Sequence, residues 1–183
     1  LVISAIVFFA GFFIGYTLRL LDVIRGPAFG FEPIFPIHQE TVYAMKSLGY
    51  EYGRAYGVNS EIEFLDVLRS NIVPAVSIVA SGVLLTIPSV TLLFVIGIAS
   101  GSSFAEILEF TPFLVNIKVI VVLGVFVSAM MFSASTAFHL GYSVYFFIKE
   151  KRLVIEKSFY DHFIVASCLV GVGIVLQYIL LVM

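Results

Sequence analysis

The chain has 183 residues, 61% hydrophobic and 12% charged, with a formal net charge of −2. A soluble domain carries about 25% charged residues; halving that fraction, with a mean hydropathy of +1.11, excludes an ordinary water-soluble core and points to a bilayer, where about 20 apolar residues make one crossing. The charge balance implies no nucleic-acid partner, and a lone Cys168 allows no intrachain disulfide.

Leu1 to Leu21 reads as the first span. It starts on Leu rather than Met, which leaves room for a preceding segment. The apolar run is too long for a signal-peptide core and no A-x-A-like site follows, so it is read as a retained span. Gly11 and Gly15 form a small-x-x-x-small pair suited to close helix approach, and Arg19 and Arg25 mark the end. With no Trp, an interfacial belt would consist of Tyr and Phe.

Residues 22–70 are the polar part of the molecule. Gly26-Pro27, Gly30, Pro33 and Pro36 break regular structure. From His38 onward, Val42, Met45, Leu48 and Tyr52 recur at helical spacing and predict an amphipathic helix, interrupted by Gly53 and Gly57. Asn59 or Ser60 then caps a second helix, with Glu61 and Glu63 in its first turn, Ile62, Leu65 and Leu68 on its apolar side and Arg69 at its end. Tyr43, Tyr50, Tyr52 and Tyr56 fit either a protein-docking face or a helix lying at headgroup depth.

Residues 71–105 would make a helix of roughly 50 Å, too long for one straight crossing of a core of about 30 Å. Pro88 sits midway and cannot donate a helical hydrogen bond. Two short helices meeting near Thr86 to Ser89 are therefore expected, as a two-pass hairpin or a re-entrant pair, with Pro74 in the first turn of the first. Ser102 to Thr111 is a connection carrying Glu106 and Glu109. Pro112 to Ile148 is either one long tilted helix or two spans broken around Ser133 to Ser135. Gly124 and Ser128, and then Ser133, Ala137 and Gly141, form small-residue faces along it. Lys149, Lys151, Arg152 and Lys157 cluster in a short loop, and Ser158 to Met183 is the last span.

The expectation is thus an all-α, polytopic transmembrane bundle of about five spans, with four to six open, forming a single domain over 1–183 with a helical interfacial loop over 22–70. The basic loop 149–157 is placed in the cytoplasm. Residues 22–70 fall outside if 112–148 crosses once, and inside if it crosses twice. The positive-inside bias favours the second arrangement; a loop that long weighs little against the slight preference for five spans.

Candidate chemistry is sparse. His38, His139 and His162 are the only histidines, and His139 and His162 come out at offset depths when counted by helical rise. That disfavours a haem between them and favours imidazoles bonded to hydroxyl or carbonyl groups. One Cys and three scattered His do not make a zinc site, and no metal or cofactor is expected. Lys118, the one charge in an apolar run, is six residues past Pro112 and is read as snorkelling rather than ligand-binding. Asn71 and Asn116 stand near helix entrances and cap or bond a neighbouring helix, and Gln177 is placed to bond across helices. Asp161 with His162 lacks a nucleophile or a third orienting group. The G-x-S-x-G elbow, phosphate loop and H-E-x-x-H motif are absent from the sequence. The chain is therefore read as a non-enzyme.

From Phe64 the sequence runs F-L-D-V-L-R-S-N, then Gly82, then L-L-F-V-I-G-I-A-S-G. This resembles the core of the stage II sporulation protein M family over roughly the first hundred residues, with Asn71 at the entrance, Gly82 the mid-helix glycine, and Gly97 and Gly101 the closing pair. Ser70 stands where a first Asn is common and Ile96 where the second motif usually has Asn. The His-Gly-x-x-Glu segment often found at the start of a later span is missing from Phe113 to Lys118. The resemblance implies a membrane-complex role: the sporulation member anchors and localises cell-wall-remodelling enzymes, and some relatives are thought to work beside transporters.

Three functions are expected. The first is a non-enzymatic cell-membrane scaffold or complex subunit, associating through small-residue helix faces and docking other membrane proteins, or further copies of itself, through residues 22–70. The second is a transporter or permease subunit using the broken pair 71–105, which needs a polar cavity near Thr86, Ser89, Thr91 and Lys118. The third is an accessory subunit of a respiratory or other large membrane complex, in whose haem-binding variant His139 and His162 would be the ligands.

Overall fold

The computed structural model describes residues 1–21, 64–84, 86–110, 113–152 and 155–179. These form α1 (Val2–Leu20), α2 (Phe64–Ser81), a 3-10 turn (Gly82–Leu84), α3 (Ile87–Phe110), α4 (Phe113–Glu150) and α5 (Lys157–Gln177). Among the described residues there is no strand, and five helices are long and apolar enough to cross a membrane. The protein is an all-α helical bundle. The helix expected from His38 and the cap at Asn59 or Ser60 lie outside the described residues.

Several boundaries differ from the sequence reading. Phe64 to Ser70 belong to α2 rather than to a separate interfacial helix, so Pro74 lies inside α2 and not in its first turn. The missing proline N–H leaves the Ser70 carbonyl without its usual intrahelical donor. The break that separates α2 from α3 falls at Gly82–Thr86, just before Pro88, which occupies the first turn of α3, where proline is tolerated. The connection expected at 102–111 is mostly helix, because α3 continues to Phe110. Ser133 to Ser135 do not interrupt α4, a single helix of 38 residues. With α4 unbroken, five candidate spans remain rather than six.

α1 packs along α3, and α5 pairs with α4; α2 and its 3-10 turn join the two halves by lying on α4. Phe8, Ile78, Leu93, Val122, Phe126 and Met130 are buried in the common core. Large apolar side chains such as Ile3, Phe13, Val76, Ile120 and Ile164 are exposed on the outside, as a bundle solvated by hydrocarbon requires. Lipid tails are as apolar as these side chains, so close packing and interhelical hydrogen bonds hold such helices together.

α4 is roughly 57 Å long by helical rise, nearly twice the hydrocarbon thickness. Its Gly141 packs under Thr86 at the apex of the α2–α3 hairpin, where a Cβ on Gly141 would stand 3.0 Å from the Gly82 carbonyl oxygen. The last turns of α4 therefore pass beyond that apex, and they carry Tyr142, Tyr145, Phe147, Ile148 and Lys149 exposed.

Candidate functional site

The residues singled out in the sequence fall into two groups: a set of contacts that closes the bundle and a polar string at the α4–α5 end.

Gly11 and Gly15 of α1 meet Gly97 and Gly101 of α3. A Cβ on Gly11 would run into the Phe94 carbonyl oxygen and lie 3.2 Å from the Ile98 nitrogen; one on Gly15 would meet the Ile98 carbonyl. From the other side, a Cβ on Gly97 would strike the Phe8 carbonyl oxygen, and one on Gly101 would lie 3.0 Å from the Phe12 Cα. The two small-x-x-x-small faces interlock backbone against backbone. Phe12 and Phe104 close the seam, their ring centroids 5.7 Å apart. The spacing predicted close helix approach at both pairs, with association between chains as the scaffold reading's use of them; here the two pairs meet each other within one chain.

Gly82 makes the second close approach, since a Cβ there would stand 2.7 Å from the Ala137 Cα. The expected face Ser133, Ala137 and Gly141 is buried, with Ala137 and Gly141 packed against this turn. The other expected face is unused: Gly124 is exposed, nothing lies within 4 Å of a Cβ built there, and Ser128 bonds the Gly124 carbonyl at 2.8 Å. Thr86, at the apex, has φ of +69°, a left-handed conformation that costs a β-branched residue.

Asn71 is buried two turns inside α2. Its Nδ2 donates to the Val67 carbonyl at 2.8 Å and to Gln177 Oε1 at 2.6 Å. Gln177 is buried too. This is the interhelical bond expected of Gln177, and Asn71 is its partner. Phe64 and Tyr178 meet edge to face next to it, with centroids 5.4 Å apart.

Most hydroxyls in the spans satisfy themselves locally. Ser100, Thr136, Ser143 and Ser167 each donate to the carbonyl four residues back, at 2.7 to 2.9 Å, a bond that needs no water. Ser89 is fully buried, 2.8 Å from the Ser81 hydroxyl and 3.2 Å from the Ile78 carbonyl. Thr91 bonds the Ile87 carbonyl and is exposed, as is Lys118. Of the residues expected to line a transport path, Ser89 is packed away while Thr91 and Lys118 stand exposed on the outside. The Asn116 side chain lies outside the described residues.

The histidines are not offset. The rings of His139 and His162 stack at 5.2 Å between centroids, with 26° between their planes. Counting helical rise from the loop assumed that α4 and α5 turn at the same height. Instead α4 overshoots the level at which α5 begins: Glu156, just before α5, stands beside His139, eleven residues before the end of α4. Glu156, extended at the α5 N-terminus, makes no capping bond. Its carboxylate lies 3.1 Å from His139 Nδ1, and His162 Nδ1 lies 3.3 Å from the Ser135 hydroxyl.

The result is a string of carboxylate, imidazole, imidazole and hydroxyl, running from a half-exposed loop residue to a buried serine. It ties α5 to α4 at the loop end. Sequence reasoning missed Glu156 and Ser135, because the register of α5 against α4 brings them to the histidines and no local pattern records it. Stacked rings place their nitrogens side by side, so no porphyrin plane fits between them, and the pair does not suit a haem held by both. Among the described residues no group of three or more His, Cys, Asp or Glu is arranged to hold a metal ion.

Compared with family models, with curated proteins and with solved structures, the chain matches none.

Proposed function

We propose that this chain is a non-enzymatic integral membrane protein of the cell membrane that serves as a scaffold or subunit of a membrane complex, of the kind represented by the stage II sporulation protein M family. The observation that carries the reading is the fate of the residues on which the resemblance rests. Asn71, Gly82, Gly97 and Gly101 each make an interhelical contact, while Pro88 opens the helix that bears the last two. Such a motif specifies how helices pack and needs no catalytic chemistry.

With the α1–α3 glycine seam closed inside the bundle, we assign partner recognition to the polar segment 22–63, which links α1 to α2 and holds much of the chain's charge. If all five helices cross, three of them separate this segment from the basic loop after α4. The two then lie on opposite faces, and the positive-inside bias of 149–157 puts residues 22–63 outside.

The test is purification of the full chain from its native membrane in mild detergent, with mass spectrometry of what co-purifies. The proposal expects partners at fixed stoichiometry that are lost when 22–63 is replaced by a flexible linker. A chain that purifies alone, or partners indifferent to that replacement, would overturn it.

A further inference from the structure

α5 is tied down at its two ends by different chemistry. Near its C-terminus Gln177 bonds Asn71 of α2, a pair of amides that takes up no charge. Near its N-terminus the tie is the string of Glu156, His139, His162 and Ser135. His162 and Gln177 are fifteen residues apart, roughly 22 Å by helical rise. α5 is the least buried of the five candidate spans, and its buried residues begin only at Ala166. Its first two turns, with no buried residue, meet α4 at the string and at the ring contact between His162 and Phe132, centroids 5.6 Å apart.

The string holds in one charge state and strains in another. When His139 alone is protonated, its imidazolium faces the Glu156 carboxylate at 3.1 Å, a charge-assisted bond. A second proton, on His162, puts two cations in stacked rings whose centroids are 5.2 Å apart, with the one bonded carboxylate on His139. The Ser135 hydroxyl does not oppose this charging. It can donate to a neutral Nδ1 or accept from a protonated one, so that bond is available in both states.

The surroundings leave the two imidazoles as the groups that change charge between about pH 5 and 8. Asp161 on α5 reaches His162 with opposite charge, and the Leu1 amino group at the head of α1 reaches it with like charge. Lys157, also on α5, is exposed. α2 from Asn71 onward and α3 as far as Ala105 contain no ionisable side chain. On α4 the other titratable side chains between Lys118 and Lys149 are Tyr142 and Tyr145.

We propose that the string is a pH-operated latch: when both imidazoles are protonated, the first two turns of α5 swing off α4 about Ala166, while the Asn71–Gln177 end stays in place. The half-exposed Glu156 opens the string to the face that carries the basic loop, so acidification of that face is the trigger. Opening moves Lys157 relative to Lys149 at the end of α4 and so remodels the basic face of the protein.

The test is pulsed electron spin resonance on the full chain in phosphatidylcholine nanodiscs at about pH 7.5 and about pH 5, across the histidine range. In a Cys168→Ser background, one pair of spin labels is placed at Tyr145→Cys and Tyr160→Cys. A control pair goes at Ile120→Cys and Val175→Cys; all four positions are exposed. The first pair should move apart by about 5 Å at the lower pH, the displacement that a swing of roughly 30° gives over the six residues from Ala166 to Tyr160. The control pair should keep its distance. His162→Gln retains a group that can bond Ser135 but takes no charge, and should hold the first pair at its neutral-pH distance in both buffers. An unchanged first pair in the protein with both histidines, an equal lengthening of the control pair, or a pH response that survives His162→Gln would each overturn the proposal.

Discussion

Gly97 of α3 faces Gly11 of α1 so closely that a methyl group on Gly97 would stand 3.3 Å from the Gly11 Cα. The obstacle around each glycine of this seam is backbone, which cannot turn aside as a flexible side chain would. Gly97→Leu and Gly101→Leu should therefore each destabilise the protein by about 3 kcal/mol or more, at or above the usual cost of overpacking. Gly124→Leu, on the open face of α4, should change stability by less than about 0.5 kcal/mol, as surface substitutions do. Thermal unfolding in detergent separates these cases, and comparable losses at Gly97 and Gly124 would refute the seam.

The Asn71–Gln177 bond makes a quantitative prediction. Asn71→Leu alone leaves the buried Gln177 amide without this partner, and Gln177→Leu does the reverse. The double substitution removes both amides together, so it should cost less than the sum of the single changes. The coupling should be about 1 kcal/mol, within the range found for bonds between membrane helices. It would be read from a double-mutant cycle of unfolding free energies, and additive effects would mean that the bond contributes nothing.

Thr86 carries a positive φ that glycine adopts freely. Thr86→Gly should be more stable than Thr86→Ala by about 1 kcal/mol, since alanine loses the threonine contacts and keeps the strained backbone. Equal melting temperatures for the two variants would place the hairpin apex in another conformation.

Sidedness follows from an unbroken α4. In a Cys168→Ser background, Ser60→Cys and Lys151→Cys should react with a membrane-impermeant maleimide from opposite faces of sealed vesicles. Labelling from the same face would mean that one of the three intervening helices does not cross.

Much of this fold was legible in the sequence because bilayer burial is written in composition. The spans of α1 and α5 follow from hydropathy, and Pro88 with the length of residues 71–105 pointed to a broken helix pair, while residues 112–148 read as one span or two. Gln177 was identified correctly because an amide deep in an apolar run has few ways to be satisfied other than across helices.

What sequence could not give was register between elements. Gly11-x-x-x-Gly15 and Gly97-x-x-x-Gly101 signal close approach without naming the partner, and a pair inside one chain reads the same as a pair between chains. Gly124 with Ser128 has the same spacing yet packs on nothing described. The stacking of His139 on His162 depended on how far α4 overshoots its loop, which no local pattern records. Ser133 to Ser135 left one long helix and two shorter spans equally open, and α4 carries them without interruption, Ser135 reaching His162 and Thr136 bonding the Phe132 carbonyl.

The account rests most on the small-residue faces of α1 and α3 being closed within one chain. The direct measurement is cross-linking of a Phe12→Cys, Phe104→Cys, Cys168→Ser variant in native membranes with a short bis-thiosulfonate reagent, the two phenylalanine rings being in contact across the seam. The structure predicts an intrachain bridge, seen as an internally linked monomer by gel mobility and peptide mapping. A bridge that forms only between two chains would contradict it and return these glycines to an intermolecular interface.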